Sequence, residues 1–480
     1  MEAAAPLPKK RKSGVPGSIE PEKISSRKPP PPAATEAPDS HIQLLPPGAE
    51  GAEEGVDRIS GLPDAILGDI ISLLPTREGA RTQTLASRWR HLWRSAPLNL
   101  DYRDLPAEGD VLIALMSRIL SAHAGSGRRL CISAHHLCHE PATVDAWLRS
   151  VALSNHQELE FYCAANRPPV LPPVVPSTFR LSSSLRAVTI GQCRLPDGIS
   201  DTLHFPQLKQ LTLENVSISE SSLHRVIAGC PVLECMLLDS SFGFSCVRIC
   251  SPTLRTIGVR LGYFRQGGPQ FWKIVIEDAP CLERLLQLDL IRRLDISIIS
   301  APNLEIMGCL SFKGFHFSYF QGSRAVFPTV VYTIKTLFIY VDSNSVDMVL
   351  TFMSCFPCLE KLYIQQNDRA EKTSWRRKHK SHIRSLDIRL KTVVLKNYRN
   401  YMADVDFAMF FVLHAKMLEL LRFEVRFCSN GFVASQWRLL QLEKRASRGA
   451  RFEFTEYTHR RKLEDIKHVQ DLSVADPFEW

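Results

Sequence analysis

From about residue 180 onward the chain repeats one short phrase: a proline, a leucine two positions later, and apolar residues five and seven positions after the proline. Pro206 leads Leu208, Leu211 and Leu213; Pro231 leads Leu233, Met236 and Leu238; Pro252 leads Leu254, Ile257 and Val259. Pro280 leads Leu282 and Leu285 and then slips by one to Leu288. Pro302 leads Leu304, Met307 and Cys309, and Pro357 closes the series with Leu359, Leu362 and Ile364. Leu185, Val188 and Ile190 form an earlier copy without the proline, and a weaker copy at Pro328 has Leu337 and Ile339 displaced. The first four intervals between prolines are 25, 21, 28 and 22 residues. The final pair of each phrase alternates as a short strand does, one face inward, and the leucine ahead of it can pack beneath the turn entering that strand. One unit cannot bury its own apolar face, so neighbours must stack into a parallel sheet. Stretches between strands, such as residues 221–227 (SSLHRVI), have helical spacing and can form an outer layer.

A period of roughly 20–29 residues built on L-x-x-L-x-L resembles the leucine-rich repeat. The resemblance implies an α/β solenoid over residues 102–380, with parallel strands on a concave face and helices or loops outside. The repeats drift in length, so uneven curvature is expected. Residues 111–121 (VLIALMSRILS) read as an apolar helix leading into it. The competing reading is an ordinary α/β domain whose leucines fall in register by chance.

Ahead of the repeats, residues 56–101 carry more apolar surface than a short helical segment can bury alone. Leu62, Ile66, Ile70, Leu73 and Leu74 recur at helical spacing and define one stripe. Pro63 suits a first helical turn, Asp64 complements the helix dipole there, and Pro75 ends the helix. Thr76 is predicted to cap a second helix over roughly 77–86, and Ser87 a third carrying Trp89, Leu92 and Trp93. Three helices in about 45 residues make a marginal core unless something covers them.

Asp57-Arg58-Ile59-Ser60 leading into Leu62-Pro63, then Ile70 to Leu74 with Pro75-Thr76, then Ser87-Arg88-Trp89-Arg90-His91-Leu92-Trp93, resemble the F-box family in the form common in plants. Gly79 departs from the pattern, since glycine inside a helix costs about 1 kcal/mol against alanine. The resemblance implies docking on a Skp-type subunit through Leu62, Pro63, Ile66, Ile70, Leu73, Pro75, Leu85, Trp89, Leu92 and Trp93. If each tryptophan buries roughly 150–250 Å², about 4–6 kcal/mol apiece is an upper bound, which makes the tryptophans the first choice for anchors. The competing reading is a helical hairpin packed on its own domain, with both tryptophans as core.

Residues 381–456 change character. Ile383, Leu386, Ile388, Leu390, Val393 and Leu395 alternate with a slip, and 404–420 reads as an amphipathic helix with Val405, Phe407, Phe410, Phe411, Leu413, Met417 and Leu418 on its apolar side. Residues 390–395 (LKTVVL), 406–408 (DFA) and 445–450 (RASRGA) are similar to the FBD segment that follows leucine-rich repeats in many plant F-box proteins. Physically, such a segment is expected to cover the open end of the repeat sheet. Residues 1–55 are rich in Pro, Ala, Glu and Ser without a hydrophobic period and read as a disordered tail. Within it, Lys9, Lys10, Arg11 and Lys12 resemble a nuclear-import signal, the alternative being a solvated basic tail. Residues 457–480 read as a C-terminal tail.

A length of 480 residues suggests two or three units. The most apolar stretch, 407–421, is interrupted by His414, Lys416 and Glu419, so no membrane span is expected. Thirteen cysteines form no disulfide framework, which fits a reducing compartment and makes the sequon Asn215-Val216-Ser217 a chance match. The net charge of +9 sits largely in the tail and in two runs, residues 376–380 and 459–462, without a nucleic-acid-binding signature. Cys355-x-x-Cys358 falls inside the repeat phrase, and Cys131, His135, His136, Cys138 and His139 fit no standard zinc spacing. No cofactor, metal or catalytic centre is expected. The function implied is a substrate-recognition adaptor of an SCF-type cullin–RING ubiquitin ligase; the other reading is a leucine-rich-repeat scaffold that engages no ligase.

Overall fold

The computed structural model describes residues 59, 61–105, 108–133, 141–164, 170–179, 183–200, 203–262, 268–289, 292, 294–311, 330–341, 346–366, 388–456 and 465–479. The basic run Lys9–Lys12, the group His135, His136, Cys138 and His139, Pro328, Ile383, Leu386 and the runs 376–380 and 459–462 lie outside them.

Three helices come first: α1 (Asp64–Leu73), α2 (Thr76–Arg81) and α3 (Ser87–Ser95). The second is shorter than expected and continues as a 3-10 turn, Thr82–Thr84. Thr76 and Ser87 do not cap; each is the first helical residue, behind Pro75 and Ala86 respectively. The Thr76 hydroxyl is engaged elsewhere. It donates to the Asn99 carbonyl (3.0 Å) and accepts from the Asp101 N–H (2.8 Å), while Asn99 Nδ2 donates to the Leu74 carbonyl at the end of α1 (3.0 Å). These bonds fasten the helices to the first strand, β1 (Leu98–Asp101).

From β1 a parallel sheet grows, with α4 (Gly109–Ala122), β2 (Gly127–Ser133), α5 (Pro141–Leu148), β3 (Glu158–Tyr162), β4 (Ala187–Gly191), α6 (Asp197–Ser200), β5 (Gln210–Glu214), α7 (Glu220–Ala228) and β6 (Cys235–Asp239) in chain order. Then follow β7 (Cys246–Cys250), β8 (Thr256–Arg260), β9 (Lys273–Asp278), β10 (Arg284–Gln287), β11 (Asp295–Ile298), β12 (Ile306–Ser311) and β13 (Thr336–Val341). Last come α8 (Val346–Cys355), β14 (Lys361–Gln366), β15 (Thr392–Tyr398), α9 (Met402–His414), β16 (Leu420–Val425), α10 (Asn430–Leu439) and β17 (Arg451–Glu456). Among the described residues fourteen strands pair in the order β1-β2-β3-β4-β5-β6-β8-β10-β12-β13-β14-β15-β16-β17. This mixed α/β architecture with one long parallel sheet is that of a leucine-rich-repeat solenoid.

The repeat phrase marks the inward face. Leu208, Leu211 and Leu213, Leu233, Met236 and Leu238, and Leu254, Ile257 and Val259 are all buried in one core that runs the length of the sheet. Truncating one of these leucines to alanine costs about 2–5 kcal/mol at such sites. The structure departs from the sequence expectation in four places. The sheet begins at Leu98, three strands before the phrase does. Leu288 and Cys309 are buried, but against the opposite face, with Leu310 taking the inward place on β12. Between β6 and β12 the outer layer is a second parallel sheet, β11-β9-β7, instead of helices. Val247, Ile249, Ile274 and Ile276 alternate inward along it, as β-branched residues favour. Finally, α9 stops at His414; Leu413 and Met417 are exposed, and Leu418 is buried in the turn before β16.

His156 is fully buried between β2 and β3, its Nδ1 donating to the Leu153 carbonyl (3.0 Å) and its Nε2 without a hydrogen-bond partner. Burial holds this imidazole below its ordinary value. The folded chain therefore keeps it neutral while the unfolded chain takes up a proton below about pH 6.5, so stability falls as pH drops through that value, by up to about 1.4 kcal/mol per unit. A His156→Asn chain retains the donor and should lose less stability than wild type between pH 7.5 and 5.5, read from denaturant midpoints. Equal losses would remove His156 as the source.

Candidate functional site

The helical unit has an interior and an exposed apolar row. Leu67, Ile71, Trp89, Leu92 and Ala96 form its core. Both faces of α1 are apolar, so the stripe legible in the sequence is the outward one. Ile66, Ile70, Leu73 and Leu85 are 46, 42, 64 and 65% exposed, Pro63 and Pro75 are exposed beside them, and Leu62 and Trp93 are half-buried. Trp89 is 8% and Leu92 6% exposed. Trp89 thus has little area left for a partner to cover, which corrects the expectation that both tryptophans dominate docking. Arg88 clamps the unit: it holds Asp64 Oδ1 (2.5 and 2.7 Å) and donates to the Leu62 carbonyl (2.6 Å), fixing the start of α1 against α3.

Trp93 explains Gly79. The Trp93 ring packs edge-on to His123 (5.3 Å), and a Cβ at Gly79 would lie 3.3 Å from Trp93 Nε1. A Gly79→Ala chain should therefore not gain the roughly 1 kcal/mol that helix propensity offers, and its melting temperature should match wild type or fall. A clear rise in calorimetry would refute the contact.

The second surface is the sheet face away from the main core. Register places Cys131, Glu160, Thr189, Thr212, Leu237, Gly258 and Leu286 in one row across β2 to β10, and Phe338, Tyr363, Val394, Arg422 and Glu453 in another across β13 to β17. The row is polar at its start, apolar in the middle and charged at its end. At the polar start, Arg129 meets Glu160 (2.5 Å) and Arg103 meets Asp101 (2.5 Å) and Glu160 (3.2 Å). Burial works to raise the Asp101 carboxyl, but the Arg103 bonds outweigh it and hold the group below its ordinary value. The apolar middle is covered by residues 465–479, within the stretch 457–480 whose sequence alone suggests a tail.

At Cys131 and Cys355 the surroundings disfavour the thiolate. Burial pushes the Cys131 thiol up, and its Sγ donates to Glu160 Oε2 (3.2 Å); burial likewise raises Cys355. A thiol shifted upward is a poor nucleophile. Among the described residues no three His, Cys, Asp or Glu side chains are grouped to hold a metal ion. Asn215 is buried and donates to Gln192 Oε1 (2.6 Å), so its sequon is closed to modification. No helix among the described residues is long and apolar enough to cross a membrane.

The described residues thus form one long parallel repeat sheet joined to a small helical unit that carries exposed apolar side chains. Residues 144–364 match the family model described as "FBD-associated F-box protein At5g56370, LRR repeats", and residues 378–423 match the FBD model. The chain is 30% identical over 259 residues to F-box/FBD/LRR-repeat protein At3g52680 of Arabidopsis thaliana, covering 52% of this chain and 54% of that protein. It is 28% identical over 340 residues to F-box/LRR-repeat protein At4g14103 of the same plant, covering 65% of this chain and 86% of that one. For several other relatives the match spans about half of their length. The chain thus carries regions that match the leucine-rich-repeat model of FBD-associated F-box proteins and the FBD model, and it is similar to F-box/FBD/LRR-repeat proteins of Arabidopsis thaliana.

Proposed function

We propose that this chain is the substrate-recognition adaptor of an SCF-type cullin–RING ubiquitin ligase. The observation that carries the reading is the exposed row Ile66, Ile70 and Leu73 on α1, with Leu85 also exposed after α2, on a unit whose own core is already closed by Leu67, Ile71, Trp89 and Leu92. Contiguous exposed apolar surface marks an interaction site, and in this family the corresponding partner is a Skp-type subunit. Leu62, Pro63, Pro75 and the exposed part of Trp93 border the row, while Trp89 and Leu92 support it from beneath.

The sheet then carries the protein substrate. The chain contributes no reacting group; it raises the substrate's effective concentration near the transferred ubiquitin. Lys9, Lys10, Arg11 and Lys12 direct the complex to the nucleus, and alanine replacements of all four should redistribute a fluorescent fusion to the cytoplasm. The decisive test is co-expression of the full chain with a Skp-type subunit: a stable one-to-one complex is expected on size exclusion. A folded chain that elutes alone would leave the scaffold reading in its place.

A further inference from the structure

Residues 465–479 (DIKHVQDLSVADPFE) run across the strands of the open face, over the part of it that is apolar. Ile466, Val469, Leu472 and Phe478 are buried in one cluster with Leu237, Leu286, Phe338, Tyr363 and Val394. The Phe478 ring centre lies 5.2 Å from that of Phe338 and 5.4 Å from that of Tyr363. The sheet makes room for the segment: a Cβ at Gly258 would lie 2.8 Å from Leu472 Cδ2, and one at Gly308 3.0 Å from Phe478 Cζ.

Cations line the channel and read two features of the segment. Arg260 donates to the Ile466 carbonyl (2.6 Å), Arg284 to the carbonyls of Leu472 (3.2 Å) and Val474, and Lys396 to that of Phe478 (3.1 Å). Such contacts hold a peptide backbone whatever its side chains. The carboxylates are read separately: Asp476 accepts from Tyr363 (2.9 Å) and pairs with Lys361 (3.3 Å), and Glu479 pairs with Arg422 (3.3 Å). The segment itself holds Asp465, Asp471, Asp476 and Glu479 against the single cation Lys467.

We propose that this channel is a peptide-binding site, that residues 465–479 are its resident occupant, and that its partner is a protein segment of the same chemistry. That segment has apolar residues three apart, followed by an acid two positions ahead of an aromatic, as Asp476 stands to Phe478. The site requires no ligase subunit, so it stands or falls apart from the adaptor reading. A short tether holds the resident at roughly millimolar effective concentration, which keeps competitors out until they match it.

The test inserts a site-specific protease sequence between Glu456 and Asp465 of the full chain and titrates cut and uncut protein with a fluorescent peptide of residues 465–479. The peptide is expected to bind the cut chain at least about 100-fold more tightly than the uncut chain, because cutting releases the tethered competitor. A peptide carrying Asp476→Lys and Glu479→Lys should lose most of that affinity. No binding to the cut chain, equal binding to both chains, or equal binding of the charge-reversed peptide overturns the proposal. If the cut chain precipitates, excess unlabelled peptide should keep it soluble. Precipitation with peptide present also overturns the proposal, since the segment is then a structural cover that does not exchange.

Discussion

A Leu73→Asp chain is expected to lose at least about a hundredfold in affinity for a Skp-type subunit while melting at the wild-type temperature. Leu73 ends α1 and stands largely in solvent, so the folded chain loses almost no contact when it is replaced. In the proposed complex the partner would cover this position. Burying a leucine there contributes about 1.5–3 kcal/mol, and a carboxylate in its place must also be stripped of water. A hundredfold is about 2.7 kcal/mol, so the first of these terms alone nearly accounts for it. Isothermal titration and a thermal melt on the same preparation decide the matter. Affinity within a few-fold of wild type would move docking away from α1.

Trp89→Ala should show the opposite signature, with folding lost first and binding lost only in consequence. The indole fills the centre of the small cluster with Leu67, Ile71 and Leu92. Removing a buried tryptophan costs about 3–5 kcal/mol, which rivals the stability available to a core of this size. The three helices should then open while the repeat sheet stays closed, because each has its own core and the two are joined at their edges, by the bonds of Thr76 and Asn99, by Arg128 to Ser72 and by the Trp93–His123 contact. Hydrogen exchange resolves this: amides of 64–95 should lose protection and those of β5 to β8 should keep it. If binding is lost while the helices remain protected, Trp89 contacts the partner directly.

These two outcomes separate what residue order reveals from what packing decides. The inward face of the sheet was legible because a strand hides alternate residues, and Leu211/Leu213 or Ile257/Val259 display that alternation openly. On α1 the same logic fails. Ile66 and Leu67, or Ile70 and Ile71, are equally apolar neighbours, and only contact with α3 tells which of each pair is interior. The second sheet is harder to see in the sequence because CVRIC and KIVIED lack the proline phrase, although each alternates on its own. The cover over the open face also left a trace. β6 (CMLLD) and β13 (TLFIYV) are apolar on both faces, unlike β3 (ELEFY), and a parallel strand with two apolar faces needs something on each. Ile466, Val469 and Leu472, three residues apart, are the matching signal in the C-terminal stretch.

The seam at Thr76 has one further effect. Because the Thr76 hydroxyl and the Asn99 amide join α1 and α2 to β1, the docking row is set at a fixed offset from every strand that follows. The sheet then works as a ruler graduated in strand spacings. Cargo gripped at β8 stands four strands beyond cargo gripped at β3, roughly 19 Å further from the row. On the proposed adaptor role, the strand that holds a cargo would set which of its lysines comes within reach of a transferred group, with docking on the ligase unchanged.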